Sequence, residues 1–148
     1  MARIRKILHA TDFSKASARA LNEAVELAKQ NRAELAIVHV IEPTPYVAGD
    51  ELGTAEIYTK LEETAKQNAE AWMSKLLKRL KKPNIKVQGF LLTGSAPDQI
   101  VNAAKKKKAN MIVIGTHGRT GLSKLLMGSV AGKVISLATC PVLTVRGR

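Results

Sequence analysis

One cysteine, Cys140, is all this 148-residue chain has. That excludes an internal disulfide framework and any four-cysteine zinc site. Histidine is nearly as scarce, and His9, His39 and His117 do not stand at a metal-ligand spacing. Aromatic residues make up only 3% of the chain, which leaves few platforms for stacking single-stranded bases. No apolar run approaches the roughly 18 residues needed to cross a bilayer. The basic start Met1–Lys6 leads into only a short apolar stretch ending at Ala10, too short for a signal peptide, so the expectation is a cytoplasmic protein without membrane insertion. Acidic residues are missing from the second half: after residue 70 Asp98 is the only carboxylate among fifteen of the 24 basic residues. Such an imbalance suggests an anionic partner, whether nucleotide, nucleic acid or membrane surface.

What is present is enough apolar residue for one core. Hydrophobic residues are 45% of the chain, which argues against disorder, and the length fits one domain over residues 1–148. Apolar runs alternate with helical periodicities. Arg5–Ala10 reads as a strand, followed by a helix from Ala18 to about Asn31 that Ser14 or Ser17 could cap. Glu34–Ile41 reads as a second strand, ended by Pro43 and Pro45. After a loop to about Gly53, a helix runs from about Ala55 to Leu80, with Leu61, Ala65, Ala69, Trp72, Met73, Leu76 and Leu77 on its apolar stripe, and Pro83 stops it. Ile85–Leu92 is a third strand. Pro97 suits the first turn of the next helix, which carries Ile100, Val101 and Ala104 before Lys105–Lys108. Met111–Ile114 has the all-apolar pattern of a buried parallel strand. A helix from about Gly128 to Ala138 and a strand over Pro141–Val145 complete a β-α-β-α-β-α-β-α-β order. Strands separated by single helices favour an open parallel sheet with helices on both faces.

Small and polar residues follow the strand ends: Thr11 and Asp12 after the first, Gly94 after the third, Gly115 to Gly118 after the fourth. In open parallel sheets ligands bind at that edge. Glycines at 115, 118, 121 and 128 let main-chain N–H groups approach a phosphate, and Ser129 opens a helix whose free N–H groups favour an anion. Arg119, Lys124 and Lys133 could add positive charge. A P-loop is excluded because Gly128 precedes Gly132-Lys133 by the wrong interval and Val134 replaces the hydroxyl residue. The dinucleotide fingerprint is excluded because Thr11–Ser14 contains no glycine. By itself Asp12 reads as a turn or helix cap, and Cys140 as a packed thiol. His9 and His39 read as structural histidines, while His117 is placed for a phosphate contact. No catalytic set and no protein metal site is legible.

The chain resembles the ATP-binding branch of the universal stress protein family along its whole length. The resemblance rests on Ile7-Leu8-His9-Ala10-Thr11-Asp12-Phe13-Ser14, on Val38-His39-Val40-Ile41, on Gly115-x2-Gly118-x9-Gly128-Ser129, and on Cys140-Pro141-Val142-Leu143-Thr144-Val145. It implies an α/β fold of adenine nucleotide alpha hydrolase type, Rossmann-like, with an open five-stranded parallel sheet in the order 3-2-1-4-5. It implies an ATP-binding regulatory module of the stress response, with Mg²⁺ assisting. Asp12, with Ala10 and Thr11, would face the adenosine, and Val40 would meet the adenine through its backbone. Gly115, Thr116, His117, Gly118, Arg119, Thr120 and Gly121, with Gly128, Ser129 and Val130, would wrap the ribose and phosphates. Ala10 stands where some relatives have proline. The usual homodimer would pair Val142, Leu143, Thr144 and Val145 with their copies. The alternatives are a slow ATPase or nucleotidyl-transferring enzyme on the same fold, although the His-x-Gly-His transferase signature is absent, and a basic nucleic-acid binder.

Overall fold

The computed structural model describes residues 3–45, 49, 53–81, 84–117 and 128–147. Five strands, β1 (Lys6–Ala10), β2 (Glu34–Ile41), β3 (Val87–Thr93), β4 (Met111–Gly115) and β5 (Val142–Val145), form one parallel sheet in the order β3-β2-β1-β4-β5. Four helices alternate with them: α1 (Lys15–Asn31), α2 (Ala55–Arg79), α3 (Ala96–Lys106) and α4 (Ser129–Leu137). The parallel sheet is the one the alternation of strands and helices predicts, and its order is the one the family resemblance implies.

Strand alternation divides the core into two layers. Leu8, Ala10, Val38, Ile112 and Ile114 pack with Ile100, Val101, Ala104, Ala131 and Val134 of α3 and α4. On the opposite face Ile7, Leu35, Ile37 and Val113 pack with Ala20, Leu21, Ala24 and Ala28 of α1 and with Met73 and Leu76 of α2. The alanines of α1 allow that helix to approach β1 and β4 closely. β1 is covered on both faces, so its side chains form a continuous buried run.

Two elements differ from the sequence reading. α1 begins three residues early, because Ser14 is its N-cap and accepts the N–H of Ser17 at 3.1 Å. Of the apolar stripe assigned to α2 only Ala69, Met73 and Leu76 are buried, and Tyr58, outside that stripe, is buried with them. Leu61 and Ala65 are exposed, and Trp72 is 42% exposed. The cause is the width of the contact: at 100° per residue Tyr58, Ala69, Met73 and Leu76 share an arc of about 60°, and Leu61, Ala65 and Trp72 fall on its flank.

Candidate functional site

The strand order reverses at β1. The chain leaves β1 toward β2 on one side and later returns through β4 on the other, so the loops diverge above the β1–β4 pair. A cavity of about 280 Å³ opens there, near the lower end of the roughly 300–1,000 Å³ of small-molecule pockets. Ala10, Thr11, Asp12, Val40, Gly115, Thr116, His117, Gly128, Ser129 and Val130 all line it. The structure therefore brings together ten of the fourteen site residues expected from the sequence. The other four, Gly118, Arg119, Thr120 and Gly121, lie outside the described residues.

The β1–α1 turn is fixed by short-range hydrogen bonds. Asp12 Oδ1 accepts the N–H of Ser14 at 2.9 Å, and Thr11 Oγ1 accepts the N–H of Phe13 at 2.9 Å. The Ser17 hydroxyl donates to the Ser14 carbonyl at 3.0 Å, so the Thr11 hydroxyl donates to Ser17 Oγ at 3.1 Å. These bonds hold Phe13 at φ 63°, a left-handed conformation unusual for a bulky residue. The turn sets the Asp12 carboxylate at the cavity wall.

β2 runs past the end of β1. The last register pair is Ala10 with Val38, and the N–H of Thr11 still reaches the Val38 carbonyl at 2.9 Å. The Val38 carbonyl thus faces β1, while that of Ile41 faces β3, where it accepts the N–H of Gly94 at 3.1 Å. By the two-residue alternation, the main-chain N–H and C=O of Val40 face the same side as those of Val38, into the space above β1. This puts an adjacent donor and acceptor at the cavity.

The far wall is the start of α4. Its N-cap is Gly128, which has no side chain with which to cap it, and the N–H groups of Ser129, Val130 and Ala131 at the cavity are those a helix leaves without intrahelical partners. The helix dipole adds partial positive charge at the same point. Gly128 is anchored by donating its N–H to the Thr116 carbonyl at 2.6 Å, and Thr116 in turn donates its N–H to the Val145 carbonyl at 2.9 Å. The Thr116 hydroxyl and His117 Nδ1 share a hydrogen bond of 3.0 Å.

Sequence reasoning missed several lining residues. His39 lines the cavity and donates from Nδ1 to the Thr11 carbonyl at 2.8 Å, tying β2 to the Asp12 turn. Ser17, Glu42, Ala96 and Ile100 also contribute, with Val38, Ile114 and Ala131 on the apolar floor. Ser17 carried a signal as a capping candidate. Ala96 and Ile100 are ordinary helix residues whose place follows only from how α3 crosses the sheet.

Two other singled-out residues lie elsewhere. His9 is fully buried in β1, donating from Nδ1 to the Val113 carbonyl at 3.0 Å, with Nε2 unpartnered. Burial pushes its pKa down to about 4, opposed only partly by the Val113 bond and the charge of Asp12. Cys140 is half-buried beside α3 and α4, and burial raises its thiol pKa. Among the described residues no three His, Cys, Asp or Glu side chains gather to hold a metal ion, and no helix is long and apolar enough to cross a membrane.

The universal stress protein family model matches residues 3–146. A universal stress protein of Methanocaldococcus jannaschii is 37% identical over 142 residues, covering 96% of this chain and 82% of that protein. Among solved structures, the universal stress protein UspA from Lactobacillus plantarum superposes with a TM-score of 0.83 at 25% identity, covering 99% of this chain and 100% of that one. A universal stress protein from Archaeoglobus fulgidus, solved in complex with dAMP, gives a TM-score of 0.65 at 26% identity, covering 97% of this chain and 98% of that one.

Proposed function

The chain belongs to the universal stress protein family, and from that premise we propose that it binds ATP in the cavity above β1 and β4 as a nucleotide-dependent regulatory module. The observation that carries this reading is the convergence on one cavity of the Val40 main chain and the free N–H groups of α4. Adenine offers a ring-nitrogen acceptor beside an amino donor, and the Val40 N–H and C=O match that pair in reverse. The apolar floor of Val38, Ile114 and Ala10 suits the purine face. Asp12 is placed to accept hydrogen bonds from ribose hydroxyls. The phosphates fall to the N-terminus of α4 and to Ser129, where main-chain donors and dipole both favour negative charge. The dAMP complex of the Archaeoglobus relative supports an adenine nucleotide on this fold.

Mg²⁺ usually keeps several waters and is held through one or two carboxylates plus substrate phosphates. Asp12 and Glu42 are the carboxylates on the described cavity wall, which fits an ion arriving with the nucleotide. A second copy of the chain would pair along β5, which among the described residues has β4 as its one strand neighbour and leaves Leu143 exposed.

Calorimetric titration of nucleotide-stripped protein tests the proposal. ATP should bind at one site per chain, and GTP should bind at least about tenfold more weakly, because its carbonyl and ring N–H oppose the Val40 pair. No heat with ATP, or equal affinity for the two nucleotides, would contradict it.

A further inference from the structure

The strand directions gather cations from both halves of the sequence at one pole of the sheet, although Lys15, Arg19, Lys133 and Arg146 lie toward the other. All five strands run parallel, so their N-terminal ends and the C-terminal ends of the helices meet at the pole opposite the cavity. Six cations of the second half gather there: α3 ends in Lys105 and Lys106, followed at once by Lys107 and Lys108, and α2 closes on Lys78 and Arg79. First-half cations join them, because Arg3, Arg5 and Lys6 lead into β1 and Arg32 caps α1. The carboxylates lie mostly at the other pole, with Asp12 and Glu42 at the cavity and Glu56 and Asp98 in the first turns of α2 and α3.

Two described carboxylates stand among the basal cations: Glu26, paired with Lys29 in the last turns of α1 at 3.6 Å, and Glu34 at the start of β2, whose partners are lysines of other elements. Glu34 is taken by Lys6 at 3.5 Å and Lys86 at 3.4 Å, and Lys86 above all holds its pKa below the usual carboxylate value. Lys107 is laid over the Phe90 ring, 3.3 Å from its centroid. Lys105, Lys106 and Lys108 on the same turn stay exposed, as do Arg3, Arg5 and Arg32, and no described carboxylate pairs with any of them. A cation or two complements the dipole of a helix end. Four consecutive lysines exceed that role and add self-repulsion that an external polyanion would relieve.

We propose that this basal pole binds the phosphate backbone of a nucleic acid, without reading its sequence. A duplex presents one charge per roughly 1.7 Å, so its backbone alone can engage a broad cationic face. An anionic membrane is disfavoured because stable attachment takes a second, apolar signal. That signal is slight here: of the large exposed apolar residues of the described chain, Ile135 and Leu137 close α4 at this pole, two against the six exposed cations named above. Scarce aromatics fit contact with a backbone and not with unstacked bases. The surface is separate from the nucleotide cavity, and the proposal stands without it.

The test is anisotropy of a labelled DNA duplex of about 20 base pairs, titrated from about 50 to about 200 mM salt. The log of affinity should fall linearly with log salt. The double variant Lys105→Gln with Lys106→Gln should flatten that slope by about 2, and Arg5→Gln, on a different element, by about 1. Lys60→Gln with Lys66→Gln removes the same charge from exposed positions on the far half of α2 and should leave the slope unchanged. Thermal unfolding shows that each variant is folded. No duplex binding at the lowest salt would overturn the proposal, as would an equal effect of both lysine doubles. Capture by vesicles with about 30% phosphatidylserine, without duplex binding, would overturn it in favour of membranes.

Discussion

Gly128 donates its main-chain N–H to the carbonyl of Thr116 at 2.6 Å, and a Cβ on Gly128 would lie 2.9 Å from that same oxygen. The contact that joins the end of β4 to the start of α4 therefore leaves no room for a side chain. The protein's own backbone requires this glycine before any phosphate arrives.

Gly128→Ala should lower stability by roughly 1–3 kcal/mol, since neither backbone atom can yield without moving the helix start. It should also weaken ATP binding. Gly132, four residues on, has no atom of the described residues within 4 Å of where a Cβ would stand. Gly132→Ala should raise stability by about 0.5–1 kcal/mol, because alanine loses less entropy in a helix, and leave ATP affinity unchanged. Thermal unfolding and calorimetry on both variants check the pair.

Asp12 combines a charge with a turn. Its Oδ1 holds the Ser14 N–H at 2.9 Å, a bond that an asparagine carbonyl can also accept. Asp12→Asn should keep thermal stability near that of the parent while weakening ATP binding about tenfold or more. Asp12→Ala should lose both, with about 1 kcal/mol of stability from the missing turn bond. Equal affinity of the asparagine variant and the parent would show that the charge has no part in binding.

A chain of rings leads from the cavity to the surface. Phe13 lies 4.6 Å from His39 and 5.5 Å from Trp72, centroid to centroid. Trp72 is the single tryptophan, so its emission reports this stack. ATP should change Trp72 fluorescence with the same midpoint as the calorimetric titration, and Phe13→Leu should abolish most of that change. Emission that stays constant through a titration with clear heat would disconnect the stack from the cavity.

The parallel sheet was legible because each strand run is bounded by glycine, proline or polar residues and separated by one helical period. Gly115 and Asp12 drew notice by their place after strand ends and Gly128 by its place before a helix, but Asp12 alone read as a cap and only the family resemblance gave it a ligand's role. His39 was not: in sequence it is one polar residue in an apolar strand, and its tie to Thr11 spans 28 residues. The exposure of Trp72 was hidden as well, because periodicity gives a broad apolar stripe but not which part of it turns to the sheet. The charge asymmetry was visible by halves, yet only the strand directions show Arg5 and Lys106 at one pole.

His9 makes folding depend on pH. Its pKa is about 4 when folded against the ordinary 6.5, so the unfolded chain binds the proton more readily. The stability this represents is complete above pH 6.5 and is lost as pH falls through the window down to about 4. The full loss is roughly 3 kcal/mol at about 1.4 kcal/mol per pKa unit. Denaturant unfolding at about pH 7 and about pH 4.5 should show most of that difference, and His9→Asn should flatten that limb of the profile.

Main-chain groups at the carboxyl edge of the sheet are proposed to hold the nucleotide, and amide NMR of the labelled protein during an ATP titration tests this directly. The largest shifts should fall on Val40, Thr116, Ser129, Val130 and Ala131, with Arg5 and Lys106 at the opposite pole unmoved. Shifts centred on the basal residues, or none at saturating ATP, would contradict it.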